Sequence, residues 1–302
     1  MKKVLIIGNV NPDIVLIDVN EYPQMGQELW INDCKVVMGG GAGNCSIDLS
    51  KLGCSTYLLS KVGTDFFGKF LLEGFNKYNV NTQFVQVNEK IMTGMSIAIT
   101  KKKERSFISF KDKQSHINFN NMSDNDLQRF SHVHLMGYNK KNSNSYIEFC
   151  KRVKALNISI SADVGWDSTE KWDSSILNFL KEVDIFIPNE VEAKNYSGKE
   201  NKIDALDFLS NYVDTIVIKL GGNGCIAKSK GKFFKKSSFN VQTIDTIGAG
   251  DAFDSGFIYA YINGMDIEKC LDYANTCGAI STTLYGATDA FPTLEQLENQ
   301  LP

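Results

Sequence analysis

The chain has 302 residues, 43% hydrophobic and 22% charged, with a formal net charge of -3 at pH 7. These proportions exclude disorder and an extended coiled coil, and the charge gives no reason to expect nucleic acid as a partner. At about 150 residues per domain, the length allows one large α/β domain or two ordinary ones.

The opening MKKVLIIGN has too short an apolar run before Gly8 for the core of a secretory signal. No stretch approaches the roughly 20 apolar residues of a membrane span. Cysteines at 34, 45, 54, 150, 225, 270 and 277 are scattered and never in C-x-x-C spacing. They read as packing residues in a reducing cytoplasm, not as disulfides or a zinc site.

Short apolar runs follow at 4–7 (VLII), 57–62 (YLLSKV), 132–136 (HVHLM), 158–163 (ISISAD), 184–188 (DIFIP) and 215–220 (TIVIKL). They lack strict alternation and are separated by helix-length segments, as parallel strands buried on both faces are. The rhythm predicts an α/β fold, a doubly wound and mostly parallel sheet flanked by helices, with its ligand beyond the carboxyl ends of the strands. Two segments, 14–37 and 92–110, instead alternate apolar and polar residues as antiparallel hairpins do, the second around the basic run TKKKER at 100–105. They predict a small inserted β-sheet, serving as a lid or a dimer surface, or else an antiparallel edge to the main sheet. On the first reading the α/β domain comprises 1–13, 38–91 and 111–302, and the lid 14–37 and 92–110.

Several stretches can carry chemistry. Asp13 follows Pro12 beyond the first run, as a solvated turn or as a ligand for hydroxyls. GGGAGN at 39–44 is neither a Walker loop nor G-x-G-x-x-G, and by itself marks a tight strand-to-helix turn. His132 and His134 share a strand face without an evident third ligand, which favours a structural role over a metal. With three histidines in all, a Ser-His-Asp mechanism has few candidates. Asn189 and Glu192 have capping-box spacing, and KLGGNG at 219–224 reads as a hairpin turn.

The stretch TIDTIGAGDAF at 243–253 runs straight into a helix, because Ala252, Phe253, Gly256, Phe257, Ala260 and Tyr261 recur at three- and four-residue steps. Amides of the turn Gly248, Ala249 and Gly250 can converge on an oxyanion. Asp251 behind them either favours the helix dipole or takes a proton from an attacking hydroxyl, a contribution of about 10²–10⁴-fold. The adjacent amides would then offset charge on a transferring phosphoryl group.

DTIGAGD at 245–251 and MGGGAGNCSIDLSKLG at 38–53 resemble the two signatures of the ribokinase-like carbohydrate kinases, the PfkB family. Further similarity lies, in the family's order, in NPD (11–13), KVGTDFFG (61–68), PNEVEA (188–193), KLGGNG (219–224) and GATDAFPT (286–293), so that nearly the whole chain is covered. The resemblance implies a kinase with ATP as co-substrate, Asp251 as catalytic base and 248–250 as anion hole. It further implies a sugar site at Asp13, Gly39, Gly40 and Asn44, with Asp163 matching a sugar-side position. Asn189 and Glu192 become the N-x-x-E motif, holding Mg²⁺ and the nucleotide phosphates through water. Lys219, Gly221, Gly224 and Asn275 fall beside the nucleotide, and Asp245 at a monovalent-cation site, K⁺, found in some members.

Two departures bear on the sugar. Gly41 stands where ribose-specific and several sugar-phosphate-using members carry Lys. ADVGWD at 162–167 matches the D-x-N-x-R pattern of fructose and keto-deoxy-gluconate kinases at Asp163 but not at Gly165 or Asp167, so an acidic sugar lacks its arginine partner. The expectation is phosphorylation of a neutral hexose such as fructose, in a homodimer formed through the lid. The alternatives are a nucleoside kinase, whose base would be clamped by Leu16, Trp30, Met95 or Ile97, and a sugar-sensing protein that transfers nothing.

Overall fold

The computed structural model describes residues 2–301 except 20, 102–103, 114–115, 166, 168–169 and 285. Lys102 and Lys103 of the basic run and Trp166 of ADVGWD therefore lie outside the described residues. In chain order the strands are β1 (Lys3–Gly8), β2 (Asn11–Ile17), β3 (Asp33–Gly39), β4 (Ser55–Leu59), β5 (Lys61–Val62), β6 (Gln86–Val87) and β7 (Met95–Lys101). They continue with β8 (Glu104–Phe110), β9 (His132–Met136), β10 (Ser159–Asp163), β11 (Ile185–Phe186), β12 (Thr215–Lys219), β13 (Cys225–Ser229) and β14 (Lys232–Lys236).

The runs without alternation supply the parallel part of the large sheet, ordered β14-β13-β12-β11-β10-β9-β1-β4, parallel from β4 to β12 and antiparallel at β13 and β14; the end of the second run, β5, instead pairs with β6 as a separate two-stranded sheet. Both faces are covered, which is why the runs need no polar side. Within β1, Val4 and Ile6 enter one apolar cluster and Leu5 and Ile7 another. A third cluster joins Ile187, Val217 and Cys225 to the helices Ala249–Ile262 and Ile267–Ser281. His132 and His134 lie buried in this sheet. His132 bonds Ser159 and Ser161, and His134 bonds Ser161, each at 2.7 Å. Burial holds both rings down to about 3, neutral at any ordinary pH. Among the described residues, no group of three His, Cys, Asp or Glu is arranged to hold a metal, and no helix is long and apolar enough to cross a membrane.

The alternating segments form a separate sheet, β3-β2-β7-β8, not an edge of the large one. Hairpins β2/β3 and β7/β8 are antiparallel, and β2 and β7 join them in parallel. This sheet begins at Asn11, so Asp13 belongs to it and not to the large sheet. Its register puts Val36, Ile14, Ile97 and Ile108 in one row and Val37, Asp13, Ser96 and Ser109 in the next, on the opposite face. The apolar row is open to solvent at its ends, Val36 being 46% and Ile108 62% exposed.

The helix Ala249–Ile262, which carries Asp251, is seated by a close crossing at Gly256. A Cβ there would stand 2.6 Å from the Tyr273 carbonyl oxygen and 2.9 Å from Cys277 Sγ. Gly256→Val should therefore cost about 1–3 kcal/mol of stability by forcing the two helices apart, read as a lower urea midpoint with an unchanged slope.

Candidate active site

Two glycine turns bring the site together. Gly39 lies under Asp13: a Cβ at Gly39 would be 2.3 Å from Asp13 Oδ2. Gly40, at φ 80°, starts the helix Gly41–Lys51 with the backbone of Asn9 and Val10 so near that only glycine fits. At the other turn Gly248 is left-handed, φ 72°, with Ala287 where its side chain would be. Asp251 follows in the first turn of its helix. Asn44 Nδ2 donates to Asp251 Oδ2 at 2.7 Å, joining motifs 207 residues apart.

Asp13 and Asp251 are the carboxyls of one space. Burial pushes Asp251 up to about 6, with the Asn44 hydrogen bond and Lys219 opposing and Asp163 adding. Burial likewise raises Asp13 to about 6; the Asp251 charge adds, and the bond from Asn11 Nδ2 at 2.7 Å opposes. The charge of Asp251 thus adds to the cost of ionising Asp13.

Beside them stands a second cluster. Lys219 Nζ donates to Asp163 Oδ2 at 2.8 Å and to both oxygens of Asp254 at 3.1 and 3.2 Å. It also lies 3.5 Å from the position a Cβ would take at Gly250, alongside the 248–250 turn. Burial works against the ammonium, but Asp163, Asp254 and Glu192 outweigh it and keep Lys219 charged. Burial also opposes the charge of Asp163, yet Lys219 and a hydrogen bond from Asp254 hold that carboxyl below its usual range. Asp254 is wholly buried, and burial pushes its carboxyl well above the usual range, with Lys219 opposing.

Asn189 and Glu192 make both contacts of a capping box, at 2.9 Å each, at the start of the helix Glu190–Ser197. An isolated bridge pairs Asn189 with Lys219, which brings this helix start to the end of β12. Burial, then the charge of Asp163, pushes Glu192 up to about 7, with Lys219 opposing. A carboxyl so placed suits a bound cation, and an amide with a carboxylate is a donor set for a hydrated Mg²⁺.

The remaining expected residues sit further out. Asp163, matched to a sugar-side position, is paired with Lys219 through one of its oxygens. Asp245 accepts from the amides of Ile247 and Gly286, at 2.6 and 2.9 Å, and so ties the loop before the 248–250 turn to the 286 loop. Gly224, φ 83°, is demanded by the backbone at Lys236, whereas a Cβ at Gly221 would meet nothing within 4 Å. Asn275 is buried and donates to Cys225 Sγ at 3.4 Å. Leu16, Met95 and Ile97 share the sheet face opposite Asp13, and Trp30 is 84% exposed. Asp254 was not anticipated. Its only sequence signal is an acid three residues after Asp251, in a helix otherwise apolar on that side.

The family model for pfkB family carbohydrate kinases matches residues 1–294. The chain belongs to that family. The pfkB chain is 26% identical, over 304 residues, to a ribokinase from Haemophilus influenzae, the match covering 98% of this chain and 97% of the relative. Among solved structures it is similar to Arabidopsis thaliana ribokinase complexed with ribose and ATP, with a TM-score of 0.86 at 22% identity, covering 99% of this chain and 98% of that one. It is also similar to a Vibrio cholerae fructokinase variant bound to fructose, ADP and potassium, with a TM-score of 0.82 at 20% identity over 100% and 99% of the two chains. These structural likenesses establish the ribokinase fold for this pfkB carbohydrate kinase.

The raised carboxyls carry a stability cost. A native pKa of about 6 for Asp251 lies above the unfolded value, so the native state binds the proton more tightly and this group's destabilising effect is full above pH 6. Asp251→Asn is expected to raise Tm at pH 8. The gain should shrink as pH falls through 6 toward 4, which thermal melts at stepped pH would show.

Proposed function

We propose that the enzyme transfers the γ-phosphoryl group of ATP to a hydroxyl of a neutral sugar, a hexose such as fructose. The observation that carries this reading is the buried Asp251 carboxyl, held by Asn44 and placed at a helix start next to the Gly248–Gly250 amides. The acceptor hydroxyl gives its proton to Asp251 as its oxygen attacks the γ-phosphorus. The new O–P bond forms, the bond to the bridging oxygen breaks, and ADP leaves with that electron pair. Amides of the 248–250 turn and the Lys219 ammonium offset charge on the transferring group. Asn189 and Glu192 are the residues that would hold Mg²⁺ through water, and the ion would supply charge neutralisation on the phosphates. Gly221 leaves its backbone open to the nucleotide, with Gly224 and Asn275 shaping the wall behind. Asp245 is where K⁺ would bear on the anion turn.

Charge favours a neutral acceptor. Asp13 and Asp251 both face the acceptor space, and Gly41 brings no cation to it: a Cβ there would stand 3.4 Å from Asp251 Oδ1 and 3.1 Å from Met136 Cε. Carboxylates, Asn44 and the close backbone of Gly39 and Gly40 suit hydroxyls; a phosphorylated or acidic acceptor would meet two like charges. A nucleoside finds no base clamp in Leu16, Met95 and Ile97, which face away from Asp13.

ADP release from Mg-ATP should occur with a neutral hexose and not with its phosphate. Asp251→Asn should lower kcat by about 10²-fold or more with KM little changed. Because the ionised base is required, kcat/KM should fall as pH drops through about 6, where Asp251 takes up its proton. Near-normal turnover of Asp251→Asn would refute the assignment.

The four-stranded sheet is the natural lid, because Asp13 on its inner face is a wall of the acceptor space. Its outer apolar row suits burial against a second copy of the chain. Ile108→Lys is expected to shift a dimer to monomer in sedimentation velocity; a wild-type protein that sediments as a monomer would overturn the dimer.

A further inference from the structure

Asn44 is pinned at one end. Its Nδ2 donates to Asp251, so its Oδ1 points elsewhere, and there it is buried without a hydrogen-bond partner. One turn along the helix Gly41–Lys51, Asp48 is wholly buried, and neither of its carboxyl oxygens has a partner. Residues four apart are neighbours on one helix face. The electrostatics agree that Asp48 looks the same way: it interacts with Asp251 and Lys51, and with the thiols of Cys45 and Cys277.

An ionised carboxyl without a partner in such a place is prohibitively costly. Burial first, and the charge of Asp251 second, keep the proton on Asp48 against the pull of Lys51. A neutral carboxyl has one O–H to give, and an amide oxygen has lone pairs to receive it. The other unpartnered buried side-chain atoms among the described residues, Thr56 Oγ1 and His134 Nε2, belong to strands β4 and β9. The donor and the acceptor lie one turn apart on the same helix.

We propose that Asp48 is a positioning residue: its carboxyl O–H donates to Asn44 Oδ1, directly or across one bridging water, and so decides which end of the Asn44 amide faces Asp251. A reversed amide would set oxygen against carboxylate and remove the hydrogen bond that stabilises the ionised base. Asp48 thus tunes Asp251 without touching substrate. The consequence for catalysis rests on the reading of Asp251 as base; the geometry at Asn44 does not.

The test uses protein labelled with ¹⁵N at asparagine, with the Asn44 side-chain amide identified by its loss in Asn44→Ala and titrated from pH 5 to 8. Asp13, Cys45, Asp163, Asp254 and Lys219, titratable groups around Asp251, are unchanged in each test variant. In wild type the Asn44 amide should report a midpoint near 6. Asp48→Asn, which can still donate, should keep that midpoint and a sharp pair of signals. Asp48→Leu should move it up by about half a unit to one unit, broaden the pair, and shift the acid limb of kcat/KM by the same amount, without loss of Tm. Asp48→Ala serves if leucine disturbs packing. A Leu or Ala variant that titrates like wild type overturns the proposal. A wild type that titrates as expected but phosphorylates nothing would instead remove the kinase reading and leave the Asp48–Asn44 pair standing.

Discussion

The site depends on one ammonium. Lys219 ends β12, Asp163 ends β10, and Asp254 lies one turn into the helix that carries Asp251. A single buried cation therefore fastens two strands of the sheet to the helix that bears the proposed base. Removing Lys219 or Asp163 would leave the other charged in a poor solvent, a loss of about 3–5 kcal/mol in comparable buried pairs. The arrangement also sets the local balance of charge. Three carboxyls crowd Lys219, and burial pushes two of them up, Asp254 well above the usual carboxylate range and Glu192 to about 7, with the Lys219 charge opposing in both.

Across the turn the problem is the same with no cation in the first contact. Asp13 and Asp251 face a common space and are both lifted to about 6, still ionised at neutral pH yet basic enough to accept a proton. Their hydrogen bonds come from amides, Asn11 to Asp13 and Asn44 to Asp251. Neutral donors moderate the charge without quenching it. The protein holds a strained pair of acids in exchange for a reactive one, the usual tension between stability and activity.

The parts of this fold that are local were legible in the amino-acid sequence. Apolar runs without alternation became parallel strands, alternating ones became hairpins, and the three-residue spacing of Asn189 and Glu192 became a reciprocal cap. Asp251 behind Gly248 and Gly250 could be singled out from its own eleven residues. What depends on distant pairing was not legible. The bond from Lys219 to Asp163 spans 56 residues, and nothing near either residue in sequence announces it. Asp254 was hidden among helical positions counted as apolar. His132 and His134 have their answer in Ser159 and Ser161, whose placement follows from the β9–β10 register. The face presented by Leu16 and Ile97 likewise follows from the parallel β2–β7 pairing, which alternation alone leaves undetermined.

The bond between Asn44 and Asp251 spans 207 residues, and the helix that seats Asp251 crosses another that ends at Ser281. During synthesis at about 5–20 residues per second, the Gly41–Lys51 helix leaves the ribosome well before the segment that buries its polar face. For that interval Asn44 and Asp48 face water, where their unmet hydrogen bonds cost nothing. Of the two neighbours of β1, β4 leaves the ribosome before β9. The Asn44–Asp251 bond can form only after residue 251 has left the ribosome, so the two glycine turns meet late in synthesis.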